Sequence, residues 1–211
     1  HTTNEVNFYI IDFGNEKLKR FEKAPQVGNV LTIDNSDKIL VLLNRVISEI
    51  KYRKKVLSKS GLDYISYVKL NKTPYLPNYV LIINGFDSFK DQFEDFVDDK
   101  FLSIIRDCTK YGITVIISAI STMAVTGTQF DQFSQRIALK FTDSSDYTEL
   151  FDTKLIPKDN PGRGLIKIED QVYQFQTSLI VQEENLEKTL NQLFERLSTI
   201  TTKVAGVPIM P

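Results

Sequence analysis

The sequence predicts a three-layer α/β domain built on a mainly parallel β-sheet. Three short apolar runs, bounded by turn residues, are typical of strands buried on both faces of such a sheet: Asn7–Phe13, Tyr79–Ile83 and Ile113–Ser118. Segments with helical periodicity separate these runs. Strands that alternate with helices predict helical layers packed on a parallel sheet.

The first half of the chain predicts two strands and one long helix. The strand Asn7–Phe13 is followed by a loop and a short extended segment at Asn29–Ile33. We expect Asp34 or Ser36 to cap the helix that follows, and Gly61 to end it. Apolar residues at helical spacing predict its buried face: Ile39, Leu43, Val46, Ile50 and Leu57.

The opposite face of this helix carries a basic cluster of Lys51, Arg53, Lys54 and Lys55. Such a cluster can contact phosphate groups. Charge runs on helices usually face water, however, so we predict that these four side chains are exposed. One or two further helical turns are predicted within Asp63–Leu70.

The second half predicts another helix and two strands. The helix ends at Gly112, just before the strand Ile113–Ser118, and its apolar face is formed by Phe101, Leu102, Ile105 and Cys108. A further strand is predicted at Arg136–Phe141. Asp143 or Ser144 is expected to cap the short helix after it.

A β-hairpin and an amphipathic helix are predicted at the edge of the domain. Leu165–Ile168 and Val172–Phe175 alternate in polarity around a polar turn, which predicts the hairpin. Glu183–Ile200 predicts the helix, whose apolar face is formed by Leu186, Leu190, Leu193 and Leu197.

Composition excludes several kinds of site. The net charge of -1 gives no overall attraction to nucleic acid or anionic membranes. The single cysteine, Cys108, excludes an internal disulfide, and its apolar surroundings predict a buried structural thiol. The lone histidine, His1, argues against a zinc site and a Ser-His-Asp triad. The apolar runs are far shorter than the ~20 residues of a transmembrane helix.

The end of the strand Tyr79–Ile83 is the expected position of an active site, because ligands of open α/β sheets bind at the carboxyl ends of strands. Phosphate-transfer folds place a Mg²⁺-binding acid there. This chain instead has the amide of Asn84, then Gly85, with Asp87 two residues further on. The segment is therefore either a relic nucleotide site or an ordinary turn.

No motif in the chain builds a complete phosphate site. A Walker A loop, G-x-x-x-x-G-K-[ST], is absent from the sequence. The tripeptide Asp12-Phe13-Gly14 also occurs in protein kinases, but the kinase catalytic loop and glycine-rich loop are missing, so we interpret it as a strand end and a turn. We predict no catalytic residue and no metal ligand within this chain.

Three further residues are candidates for contacts with phosphate. Ser118 ends its strand and is a candidate γ-phosphate sensor. Arg136 and Arg163 are candidate arginine fingers that reach a neighbouring subunit. Each arginine alone is more often a surface ion-pair partner.

The order of several segments resembles the second half of an FtsK/SpoIIIE-type P-loop ATPase domain. The segments are NFYIIDFGNEKLKRF, PQVGNVL, the helix with Glu49 and Arg53, LPNYVLIINGF, YGITVIISA, RIALKF, DSSDYTELF and NPGRGLIKI. The chain is most similar to the tandem ATPase modules of type VII secretion coupling proteins, the EssC/YukB/EccC group. The resemblance covers Val6 to about Ile180.

The resemblance implies a RecA-like P-loop NTPase core at 1–182, a terminal helix at 183–203 and a linker at 204–211. It implies ATP and Mg²⁺ as family cofactors, a Walker A segment upstream of this chain, and a Walker B acid at Asn84 followed by an acid at Gly85. Both acids are replaced here, so we expect no nucleotide cofactor on this chain.

The resemblance also implies partners and a location. They are secreted small helical-hairpin proteins, other ATPase modules of the same chain and a homo-hexamer, at the cytoplasmic side of a bacterial plasma membrane. Membrane contact is expected only through segments outside this chain. The main hypothesis is a degenerate module for substrate recognition and assembly. The alternatives are an active ATPase, with Asp87 or Asp12 placing Mg²⁺, and a DNA translocase, which the near-neutral charge disfavours.

Overall fold

The computed structural model describes residues 1–178 and 185–206. These residues form two compact units. The first contains residues 1–119 and the C-terminal residues from 186 onward, and the second contains residues from 120 onward up to the first gap. The domain boundaries predicted above, at 182 and 203, group the chain differently from these contacts and stay a prediction.

The first unit is built on a four-stranded parallel sheet. Its strands, in the spatial order β2-β1-β3-β4, are β1 (Val6–Asp12), β2 (Val27–Thr32), β3 (Asn78–Asn84) and β4 (Ile113–Ser118). All three pairings are parallel. The strands predicted from apolar runs are therefore confirmed, and β1 and β3 occupy the interior of the sheet.

Helices connect these strands. The α-helices of the first half are α1 (Ser36–Ser60), α2 (Tyr64–Lys69), α3 (Phe86–Gln92), α4 (Glu94–Phe96) and α5 (Leu102–Asp107). A π-helical turn at Val97–Phe101 joins α4 to α5. The short 3-10 helices are Lys17–Lys23, Ile33–Asn35 and Cys108–Tyr111. Gly61 and Gly112 adopt the left-handed conformation as C-caps, as predicted.

The N-terminal cap of α1 differs from the prediction. The helix begins at Ser36, and Asn35 is its N-cap residue without a side-chain cap bond. The Asn35 side chain instead accepts a hydrogen bond from the Thr32 amide at 3.1 Å and closes the preceding 3-10 turn. Neither Asp34 nor Ser36 therefore has the predicted capping role.

Arg53 was wrongly predicted to lie on the exposed basic face of α1. Its side chain is fully buried, and its guanidinium lies 4.4 Å from the centre of the Tyr79 ring. It bonds to Glu49 and to three backbone carbonyls, those of Pro77, Tyr111 and Gly112, at 2.6–2.9 Å. The neighbouring Lys51, Lys54 and Lys55 are exposed, as predicted.

The last helix of this unit is α8 (Leu186–Ser198), which comes after the first gap, residues 179–184. The helices α6 and α7 belong to the second unit and are described below. Leu190 and Phe194 of α8 pack against Ile10, Val27 and Val30 of the sheet. The predicted apolar face was wrong at Leu193, which is 46% exposed. The predicted residues Glu183 and Glu184 lie outside the described residues.

The segment after α8 is fixed to the first unit by hydrogen bonds. The Lys203 ammonium donates to the carbonyls of Glu22, Ala24 and Val27. The Val204 amide donates to Pro25 at 2.8 Å. The described part of the predicted linker, residues 204–206, is therefore attached to the first unit at its first residue. Residues 207–211 lie outside the described residues.

The second unit contains a three-stranded antiparallel sheet in the order β5-β6-β7. Its elements are a 3-10 turn (Thr122–Ala124), α6 (Gly127–Phe130), β5 (Ile137–Ala138), α7 (Ser145–Phe151), β6 (Arg163–Ile168) and β7 (Gln171–Gln176). The predicted hairpin is confirmed as β6 and β7, and Ile168 faces Gln171 across its turn.

The strand predicted at Arg136–Phe141 is shorter than expected. Only Ile137 and Ala138 pair with β6. Beyond them, the Tyr147 hydroxyl donates to the Leu139 carbonyl and accepts from the Phe141 amide, both at 2.9 Å. These bonds satisfy the backbone in place of a strand ladder.

Candidate functional site

Two of the predicted site residues, Asn84 and Ser118, lie in one row with Asp12 at the carboxyl ends of the parallel strands. The register pairs Asp12 with Asn84, and Asn84 with Ser118. In parallel strands, residues at the same register position point to the same face of the sheet. The last residues of β1, β3 and β4 therefore meet at one edge, where ligands of open α/β sheets bind.

Side-chain hydrogen bonds connect this row. The Asn84 amide nitrogen donates to Asp12 Oδ1 at 2.7 Å. The Ser118 hydroxyl donates to the Asn84 amide oxygen at 2.6 Å, and it accepts from the Gly85 backbone amide at 3.1 Å. We call this chain of bonds the Asp12–Asn84–Ser118 network.

Asp12 is the buried anion of the network, with only 1% of its surface exposed. Besides Asn84, it accepts hydrogen bonds from the Gly14 and Leu18 backbone amides, each at 3.0 Å. Three N–H donors thus compensate its negative charge in place of water. The sequence analysis treated Asp12 as a strand-ending acid and, in the active-ATPase alternative, as a residue that places Mg²⁺; its hydrogen bond to Asn84 was not predicted.

Asn84 uses both ends of its amide in this network, as donor to Asp12 and as acceptor from Ser118. Mg²⁺ requires oxygen ligands that are arranged around the ion and free to bind it. The oxygens of this row are already bonded to protein donors. Among the described residues, no group of three His, Cys, Asp or Glu side chains could hold a metal ion. The residues present therefore do not fit a directly bound Mg²⁺.

Gly85 has a backbone conformation that restricts its replacement. Its φ is +77°, in the left-handed region, and it precedes α3 as the N-cap residue. A Cβ atom here would lie 3.0 Å from the carbonyl carbon of Phe13 and 3.2 Å from the Gly14 nitrogen. A glutamate at this position would combine backbone strain with a steric clash. Asp87 follows in the first turn of α3.

The two candidate arginine fingers belong to the second unit. The Arg136 guanidinium donates to the Phe130 carbonyl at 3.2 Å and to the Leu150 carbonyl at 3.5 Å, and it stacks on the Phe130 ring at 4.4 Å. Arg163 begins β6 and is half-buried. Its buried Nε lacks a hydrogen-bond partner among the described residues. Their role across an interface stays a prediction.

Curated relatives align with the whole chain. The type VII secretion system protein EssC of Staphylococcus aureus is 25% identical over 218 residues. The ESX secretion system protein YukB of Bacillus subtilis is 25% identical over 221 residues. The chain spans only 15% and 14% of the length of these two relatives.

Solved structures of ATPase modules share the fold. EssC (ATPases 2 and 3) of Geobacillus thermodenitrificans matches with a TM-score of 0.84 at 23% identity, over all of this chain and 42% of that one. EccC (ATPases 2 and 3) of Thermomonospora curvata, in complex with a signal sequence peptide, also gives 0.84, at 21% identity over all of this chain and 40% of that one. The predicted α/β fold with a mainly parallel sheet is confirmed, and these ATPase modules share it.

A family model covers most of the sequence. The model of the FtsK/SpoIIIE family matches residues 1–157 of the 211, which include the whole parallel sheet and the Asp12–Asn84–Ser118 network. Together with the relatives, this match confirms the resemblance stated above. The chain therefore belongs to the FtsK/SpoIIIE family.

Proposed function

We propose that this chain is an ATPase-like module that does not hydrolyse nucleotide. It serves in a type VII protein secretion motor, where it recognises export substrates and contributes to the assembly of a hexamer. The Asp12–Asn84–Ser118 network is the observation that supports the absence of hydrolysis. The polar groups that a hydrolysing site turns toward nucleotide and metal are bonded to one another here.

Two positions support the loss of hydrolysis independently. At the Walker B position, Asn84 supplies an uncharged amide, so it cannot offset the charge of Mg²⁺. At the following position, where an acid would orient water, Gly85 has no side chain and a conformation that disfavours one. Asn84, Gly85, Asp87 and Ser118 are thus proposed as a nucleotide-site remnant, and we assign no catalytic residue.

The relatives support the place of the module in a larger motor. EssC and EccC carry several ATPase modules in one chain, as the structures of their ATPases 2 and 3 show. One structure is described as the cytoplasmic domain of EssC. By analogy, we propose that this chain works at the cytoplasmic face of the plasma membrane. Among the described residues, no helix has the length and apolarity needed to cross a bilayer.

Substrate recognition is proposed from the EccC structure with its signal sequence peptide. The proposed substrates are small helical-hairpin proteins exported by the same system, with neighbouring ATPase modules and identical subunits as assembly partners.

A nucleotide assay tests the loss of hydrolysis. The chain, and any longer natural protein that carries it, are titrated with a fluorescent ATP analogue and Mg²⁺, and phosphate release is measured. We expect no release attributable to this module. Turnover that disappears in Asp87→Ala would overturn the proposal and favour an active ATPase. Glu187→Ala is the matched control, because it removes an exposed carboxylate on α8 that is distant from Asp87 in the sequence.

A binding assay tests recognition separately. A purified helical-hairpin substrate is labelled and titrated with this chain alone and with the longer protein. Saturable binding to both is the expected result. Failure to bind either one would remove substrate recognition from the proposal and leave the absence of hydrolysis untouched.

A further inference from the structure

The helical layer on one face of the first unit carries opposite charges at its two ends. The C-terminal half of α1 exposes four ammonium groups that line a shallow groove together with Ser58: Lys51, Lys54, Lys55 and Lys59. Within the described part of the chain, none of these four lysines forms an ion pair. We call this surface the lysine groove.

An acidic segment lies between the end of α3 and α5. It exposes five carboxylates: Asp91, Glu94, Asp95, Asp98 and Asp99. The apolar residues between them, Phe93, Phe96 and Val97, are buried in the core of the same unit. The outward surface of the segment therefore carries these five carboxylates together with Gln92 and one cation, Lys100. No ion pair to these five carboxylates is present among the described residues.

Two contacts fix the positions of these surfaces. The Gln92 amide donates to Ser36 Oγ at 2.6 Å, which holds the acidic segment beside the beginning of α1. Arg53 bonds to the Gly112 carbonyl, which holds the lysine-bearing half of α1 beside the beginning of β4. The start of the acidic segment thus lies beside the beginning of α1, and the lysine groove lies on the other half of that helix.

In the described part of the chain, no ion pair joins the two surfaces within one molecule. Lys51 follows Ser36 by 15 residues, or roughly 22 Å along the helix axis at about 1.5 Å per residue. The Debye length at physiological ionic strength is only about 8 Å. Each surface therefore keeps its charge available for a second molecule.

We propose that the acidic segment of one copy of this chain docks on the lysine groove of the next copy, head to tail. Charge complementarity supports this occupant, because five carboxylates face four ammonium groups of the same protein. The net charge of -1 disfavours a polyanionic partner such as nucleic acid. Two different surfaces in contact make a heterologous interface, which closes into a ring or continues as a filament.

This contact rests on the assembly role proposed above and gives it a surface. It is independent of nucleotide and of substrate binding. Because the interface consists of exposed charges, its strength depends on salt, and it selects the relative orientation of the copies more than it adds affinity.

Charge reversal tests the contact on the intact chain by sedimentation velocity. The wild-type chain is expected to self-associate at low salt and to dissociate at high salt. The variants K54E/K55E and D98K/D99K should each self-associate about tenfold more weakly, because the first removes the net positive charge of the groove and the second removes most of the net negative charge of the segment. An equimolar mixture of the two variants should associate again, since the two new carboxylates of one variant match the two new ammonium groups of the other.

The control variant K17E/K19E changes the net charge by the same amount as K54E/K55E. Its two exposed lysines lie on the 3-10 helix Lys17–Lys23, outside the groove. It should associate like the wild type. Three results would overturn the contact: no salt-dependent association of the wild type, unchanged association of the two charge variants, or no recovery in their mixture. If a longer natural protein still forms a hexamer with K54E/K55E, assembly stands and uses other surfaces.

Discussion

The side-chain amide of Asn84 donates a 2.7 Å hydrogen bond to the buried carboxylate of Asp12, across two neighbouring strands. Asp12 has no access to water, and its charge is compensated by N–H donors alone. The amide at position 84 is therefore more than a missing acid. It is the polar complement that the buried carboxylate requires, and Ser118 holds it in the correct orientation.

The variant Asn84→Asp, which introduces an acid at the position that we propose corresponds to Walker B, should destabilise the protein. It replaces a donor with a second carboxylate beside Asp12, so we expect a loss of about 2 kcal/mol near neutral pH. Urea unfolding of the variant and the wild type near neutral pH measures the difference.

The matched control is Ser118→Ala, which removes only the exposed end of the network. Its effect should be smaller, because no charge is added. If Asn84→Asp proved as stable as the wild type and bound Mg²⁺, the network would not explain the loss of the acid.

Substitution of Arg53 should also reduce the free energy of unfolding. Arg53→Ala removes a fully buried cation that bonds to Glu49 and leaves three backbone carbonyls without their charged donor, so we expect a loss of about 3–5 kcal/mol. Lys54→Ala removes the adjacent exposed cation and should change stability by at most about 0.5 kcal/mol. Equal effects of the two substitutions in chemical unfolding would contradict the buried role of Arg53.

Arg53 also shows where the sequence misled. It continues the stripe of Val46, Ile50 and Leu57 at intervals of three and four residues, so periodicity alone placed it on the buried face. Its positive charge placed it with the neighbouring lysines instead. A buried arginine requires acceptors, and these come from Pro77, Tyr111 and Gly112, whose proximity only the fold reveals.

The parallel sheet was predictable because its strands are short, apolar and bounded by turn residues. The run predicted at Tyr79–Ile83 became β3 with one additional residue at each end. The candidate site was predictable only as a set of separate strand ends. Asp12 and Asn84 are 72 residues apart, and their hydrogen bond follows from the pairing of β1 with β3, which no local pattern encodes.

The Cys108 thiol should be nearly unreactive in the folded protein. Burial raises the pKa of Cys108 from 9.0 to about 11, and its Sγ contacts the Ile105 carbonyl at 3.3 Å. At about pH 8 the thiolate fraction of the folded protein should be about 100-fold below that of the unfolded chain. Iodoacetamide alkylation rates, with and without denaturant, measure this ratio.

The same shift predicts how stability depends on pH. The unfolded thiol ionises first, so the contribution of Cys108 is fully present below its unfolded pKa and is lost as pH rises toward about 11. Cys108→Ala should lose less stability than the wild type over that alkaline range. Equal losses in the two proteins, or rapid alkylation of the folded chain, would contradict a buried thiol.

Lys203 should anchor the segment that follows α8. Its ammonium donates to the Ala24 carbonyl at 2.9 Å and to the Val27 carbonyl at 2.8 Å. Lys203→Ala removes these charge-assisted bonds and should destabilise the first unit by roughly 1–3 kcal/mol. It should also accelerate hydrogen exchange at the Val204 amide, which donates to Pro25. Lys188→Ala, which removes an exposed lysine from α8, should leave that exchange rate unchanged, and protection of Val204 that survives Lys203→Ala would show that Lys203 does not anchor the segment.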